Sequence, residues 1–191
     1  MKTQLDIKNV LRKGFISDEI EFERVLILYR KLRLVKENRT ELSESYNQLR
    51  VLIKNYEEEH WNNETEITED RINESDTAEF LAEQERLFLK QRKELIKTKL
   101  KAFDLNQQDL GVLLGHTKSY ISELMNGIHP FSNKDLIIIH RIFGIKLEAL
   151  IPTMIPPMEQ SRLKDSLAKI NKPNFYSKLK TKNQGVAFLF L

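Results

Sequence analysis

The chain contains no cysteine, which removes disulfides, thiolate nucleophiles and the common zinc-finger spacings together and fits a reducing cytoplasm. Any metal would need histidine and carboxylate ligands. His60, His116, His129 and His140 stand in separate local contexts with no pair at a ligand spacing, so they read as polar or half-buried histidines, and no metal or cofactor is expected. Also missing are a Gly-rich phosphate loop and any Ser-His-Asp wording, which makes an enzyme the weakest class of function. Long hydrophobic runs are absent: "LIII" at 136–139 and the terminal "VAFLFL" are far too short to cross a bilayer. The opening "MKTQLDIKNVLRKG" alternates charged with apolar residues and lacks the continuous apolar core of a signal peptide. The expectation is a cytoplasmic protein with no membrane partner. A strong charge of one sign is lacking too: a net +3 is too small to choose between nucleic acid and other partners, so the distribution of charge matters more.

What is present is helical periodicity. After Ser17, "DEIEFERVLILYRKLRLVKE" repeats Phe22, Val25 or Leu26, Tyr29 and Leu32 at helical spacing. "ENRT" interrupts the run. From Thr40 a second stretch places Leu42, Tyr46, Leu49, Ile53 and Tyr56 at steps of four and three, a narrow stripe suited to an antiparallel partner. Together they predict a helical hairpin within residues 1–63. Residues 64–76, inside "NNETEITEDRINESD", are acidic and rich in turn formers, and read as a linker. Thr77 then caps a long pattern with Leu81, Phe88 and Leu95 seven apart, a connecting helix over 77–94. From 95 to 151 the text is dense in short helices, each closed by Gly or Pro, which need a shared core. The tail, 152–191, is basic and proline-containing, with Lys164, Lys169, Lys172, Lys178, Lys180 and Lys182 and one short helix around residues 162–170. The fold class is all-α.

Between Gln107 and Leu124 the apolar and small positions follow the logic of two crossed helices. Leu110 and Leu114 place one helix on the core, and Gly111 lets a second cross closely. Gly115 can take a positive φ in the tight turn, while Ile121 and Leu124 anchor the second helix. Thr117 is a natural N-cap for that helix, and Asn126-Gly127 a natural stop.

This stretch resembles the helix-turn-helix of the lambda-repressor-like, or XRE-type, DNA-binding domains. "LNQQDLGVLLG" and "ISELMNG" correspond to the usual Leu-x-Gln-x-x-Leu-Ala-x-x-Leu-Gly and Ile-Ser-x-x-x-Asn-Gly, and the match runs from about Leu95 to Ile151 with "FGIKLEALI" at its close. Gly111 stands where the family usually has Ala, at about 1 kcal/mol of helix propensity. With "YEEEHW" at 56–61, "YISELMNGIHPFS" and the wording from His140 to Ile145, roughly Glu19 to Pro152 is similar to the HigA-type antitoxins.

The resemblance implies a five-helix lambda-repressor-like domain joined to the N-terminal hairpin by a long helix. A helix as short as the second one cannot hold itself together in water. Its back is expected on Leu110, Leu114, Leu136, Ile139 and Ile142, and its front on a DNA major groove. Lys118 and Ser119 are then placed for base edges, with Ser122 and Glu123 one turn on. Gln107 is implied to hold a phosphate or brace the readers, and Thr117, Asn126 and Lys134 are further phosphate contacts. The implied partners are a double-stranded DNA operator, a second copy of the chain, and a small basic ribonuclease toxin met by Glu57, Glu58 and Glu59. The alternative is a free-standing XRE-type regulator with a dimerising or sensing N-terminal part.

Overall fold

The computed structural model describes residues 4–35, 40–62, 68–153, 155 and 157–170. The described residues form helices and their connections, without a strand: α1 (Ile7–Lys13), α2 (Glu19–Val35), α3 (Thr40–His60), α4 (Glu69–Ala102), α5 (Gln107–Leu114), α6 (Lys118–Asn126), α7 (Asn133–Phe143) and α8 (Pro157–Ile170), with a 3-10 turn at Leu147–Ala149. The all-α expectation holds. Met1–Pro152 makes one compact unit and Thr153–Leu191 another. In the second unit α8 starts earlier than the expected 162–170 and carries Lys164 and Lys169. Lys172, Lys178, Lys180 and Lys182 lie outside the described residues.

Two elements differ from their expected extent. The stretch 64–76 is not a linker throughout, because α4 begins at Glu69 and 63–67 lie outside the described residues. Thr68, not Thr77, is the N-cap: its side chain accepts from the Arg71 amide, and Glu69 and Asp70 occupy the first turn, where the helix dipole favours carboxylates. The acidity that suggested a linker is what suits this segment to a helix start. Thr77 is interior and its hydroxyl donates to the Asn73 carbonyl at 2.8 Å. The other difference is α1, too short to show a period, capped by Asp6 and ended by Gly14 at φ 76°.

The unit Met1–Pro152 holds two cores. The first gathers Ile7 and Val10 of α1, Phe22, Val25, Leu28 and Leu32 of α2, and Leu42, Leu49, Ile53 and Tyr56 of α3. Val25, not Leu26, takes the buried position, and the Phe22 and Tyr56 rings stack at 4.7 Å. The second gathers Ile96 and Leu100 of α4 with the apolar faces of α5, α6 and α7. Helix α4 contributes to the second core and flanks the first through α2. It packs along α2 with the small buried residues Ala78 and Ala82, then turns Ile96 and Leu100 into the second core. Leu81, Phe88 and Leu95, at the expected seven-residue spacing, are only half-buried.

Between the cores Arg92 is 4% exposed. It donates to the Leu150 carbonyl and to Gln4 Oε1, each at 3.1 Å, and lies over the Phe131 ring. Burial lowers this guanidinium to about 10. A buried charge persists only when its donors are satisfied, and here carbonyl oxygens satisfy it. Ile128, just past α6, packs in the N-terminal core rather than with its own helix.

Candidate nucleic-acid interface

The C-terminal part of α4, the helices α5, α6 and α7 and the 3-10 turn are the five helical pieces around the second core. Asn106 and Asp109 form a capping box at the start of α5, and Gly115 ends it at φ 73°. A methyl on Gly111 would sit 3.0 Å from the His116 carbonyl and 3.5 Å from Ile121 Cγ2. The missing side chain lets α5 and α6 approach closely at this crossing. The Thr117 side chain accepts from the Tyr120 amide at 3.2 Å and starts α6, and Gly127 ends it at φ 69°.

The back of α6 is Ile121, Leu124 and Met125, all at most 3% exposed. They lie on Leu110, Leu114, Leu136 and Ile139. Ile142, expected in this set, is 42% exposed, and its neighbour Phe143 is buried instead. The helical phase of α7 puts 136, 139 and 143 on one face and 142 beside it. Thr117, Lys118, Ser119 and Lys134 are exposed, and Gln107 and Ser122 are half-buried at the helix surface. Lys118, Ser122 and Asn126 follow at steps of four, one stripe along α6.

Two of the expected contacts are turned to other work. Glu123 has a 15% exposed side chain with Oε2 3.5 Å from His129 Nε2, and the opposite ring nitrogen of His129 is 3.2 Å from Asp6 Oδ1. The carboxylate thus faces inward, not toward a groove. Asn126 donates to the Ser122 carbonyl at 2.8 Å and accepts from Lys93 Nζ at 2.6 Å, so it braces the end of α6. Lys93 was not foreseen, and it stands 33 residues away in sequence with no local pattern to betray it. Of the other histidines, His116 lies 3.0 Å from Asp135, His140 Nδ1 lies 2.7 Å from the Ile145 carbonyl, and His60 stacks on Tyr56. Among the described residues no group of three or more His, Cys, Asp or Glu is placed to hold a metal, and no helix is long and apolar enough to cross a membrane.

Away from this surface, Glu57, Glu58 and Glu59 are exposed on α3. Glu57 and Glu58 join Glu19, Glu23, Phe22 and Trp61 around an open cavity of about 580 Å³. Burial, with Glu79 and Glu19 nearby, raises the Glu23 carboxyl above its ordinary value. Glu19 is held by the Tyr56 phenol, which donates at 2.9 Å, and by the Ser75 hydroxyl, which donates at 3.0 Å.

No curated protein and no solved structure matches the chain. Residues 96–150, from the end of α4 to just past the 3-10 turn, match the family model described as Helix-turn-helix, and that stretch is a helix-turn-helix domain.

Proposed function

We propose that the chain is a sequence-specific transcription regulator that binds its operator as a homodimer, with α6 in the major groove. The observation that carries this reading is the division of α6 into a fully buried back and a front on which Lys118 and Ser119 stand exposed at its N-terminal end. Lys118 can donate to guanine and Ser119 can donate or accept, with Ser122 one turn on. Gln107, Thr117 and Lys134 serve the phosphates. Thr117 can do so while capping, because its hydroxyl still has a proton to donate. Glu123 and Asn126 act behind the surface, as braces of α6. One short helix reads few bases, so a dimer on half-sites about one turn, ~34 Å, or a multiple apart is expected.

The test is a competition gel shift on the selected operator. Lys118→Ala with Ser119→Ala should reduce discrimination between operator and random duplex, each lost base contact being worth about 1–3 kcal/mol. Lys134→Ala should weaken all sequences alike. Unchanged discrimination in the double variant would remove α6 as the reading helix.

A finer reading is that the protein is an antitoxin that neutralises a small basic ribonuclease and represses its own operon. The acidic, aromatic-walled cavity at the end of the hairpin supports it, since carboxylates beside Phe22 and Trp61 complement a basic RNA-binding groove. Because α4 covers the hairpin, the test uses the whole chain. Co-expression with a basic ribonuclease-like neighbour should restore growth, and Glu57→Lys with Glu58→Lys should abolish rescue while operator binding persists. Rescue by neither form leaves the free-standing regulator.

A further inference from the structure

A second cavity, of about 230 Å³, opens between α2, α4 and the C-terminal end of α6. Four cations face it, Lys31 from α2 and Arg86, Lys90 and Lys93 from α4, beside the apolar Leu34 and Leu89. The floor is Met125 and Asn126, the last turn of α6. The nearby carboxylates are already committed: Glu83 to Arg86, through two bonds of 2.6 Å, Glu85 to Arg24, and Glu94, beside Lys93, to Lys97 at 3.2 Å. Lys93 bonds only the neutral amide of Asn126. Among the described residues Lys31 and Lys90 have no hydrogen-bond or ion-pair partner.

Lys31 is the telling member, because a half-buried ammonium without a counter-charge is costly and calls for an explanation. Its Nζ lies so close to the α6 terminus that a methyl on Gly127 would come within 3.4 Å of it. Carbonyl dipoles at that helix end ease the charge without cancelling it. Burial and the neighbouring Arg86, Arg92 and Lys93 lower Lys31 to about 8.

We infer that this cavity binds a phosphate group, held by Lys31, Lys90 and Lys93. A carboxylate would leave at least two of the three ammoniums uncompensated, whereas a phosphate monoester brings up to two charges and several acceptor oxygens. The cavity exceeds a bare phosphate, and Leu34, Leu89 and Met125 offer an apolar wall for an organic remainder. Two sources share this chemistry: a free phosphorylated small molecule and a backbone phosphate of DNA. The charge count favours the free monoester, since a diester carries a single charge. Binding would draw Lys93 from Asn126, which braces the Ser122 carbonyl, and so would reach the DNA-reading helix.

The experiment follows thermal unfolding of the full chain in inorganic phosphate against sodium chloride of equal ionic strength, without DNA, so its failure is distinct from failure of the operator reading. Phosphate is expected to raise the midpoint saturably and beyond chloride. Lys31→Met and, separately, the exposed Lys90→Gln should each weaken the half-saturating concentration by about tenfold, with helical circular dichroism unchanged. Phosphate acting no better than chloride, or as strongly on both variants as on the unsubstituted chain, overturns the site. A second arm measures duplex affinity in phosphate-free buffer. Unchanged affinity in Lys31→Met identifies a free ligand, and a loss shared by all sequences identifies the DNA backbone, either result upholding phosphate recognition once the first arm has succeeded.

Discussion

Lys31 shows how far a single residue departs from what its letter suggests. In the unfolded chain it titrates near 10.5, and in the folded protein burial and its cationic neighbours bring it to about 8. Between those values the unfolded chain holds more protons, so the stability tied to this site rises as pH climbs through that window and its penalty is fully present below it. The penalty is roughly 3 kcal/mol. Lys31→Met keeps the length of the side chain and removes the charge. It should therefore stabilise the protein near neutral pH and flatten its gain between pH 8 and 10, which urea midpoints taken at several pH values would register. Burial lowers Arg92 as well, but unlike Lys31 it has hydrogen-bond acceptors. Arg92→Ala strands the Leu150 carbonyl and Gln4 and opens a cavity, so a loss of about 3 kcal/mol in urea unfolding is expected.

At the scale of the element, the turn between α5 and α6 depends on Gly115 at φ 73° with open space around its missing side chain. Gly115→Ala should cost only the left-handed backbone penalty, about 1–2 kcal/mol. Ile121→Ala removes packing from the back of α6 and should cost about 2–5 kcal/mol. A denaturant series on the two variants orders these costs. This much was legible in the sequence: Leu110, Leu114, Ile121 and Leu124 fall at local spacings, and the Gly and Thr117 punctuation sits within the same short stretch. What was not legible comes from elsewhere in the chain. Glu123 looks outward by phase alone, yet His129, whose other ring nitrogen meets the distant Asp6, draws it inward. Lys93 and Lys31 carry no pattern, because their neighbours are set by how α2, α4 and α6 pack. The start of α4 was missed for a different reason: acidic, turn-forming residues suit both a linker and a helix N-terminus, and only the cap decides between them.

At the scale of the molecule, the two cores within Met1–Pro152 are tied by α4, by Ile128 and by the Gln4–Arg92 contact. They should unfold together. Trp61 is the chain's single tryptophan and lies against the N-terminal core, so its fluorescence reports that core while far-ultraviolet circular dichroism reports all helices. Coincident transitions in urea are expected, and an early fluorescence transition would show that the cores are independent. The same ties give the N-terminal part a route to α6. Whatever it meets, at the acidic cavity or at a second copy, is read by a helix end that Asp6 and Ile128 already touch through His129 and the N-terminal core.

Helix α4, 34 residues long, fixes an angle as well as a distance. Ala78 and Ala82 must face α2 while Ile96 and Leu100 face the DNA-binding core. One residue inserted between these pairs would rotate one set about 100° against the other and advance it ~1.5 Å, while whole turns would restore the angle and pull Gln4 away from Arg92. Grafting this hairpin onto another reading domain is thus closed to simple recombination: the two halves can be inherited only in register, as a single rigid spacing in the gene.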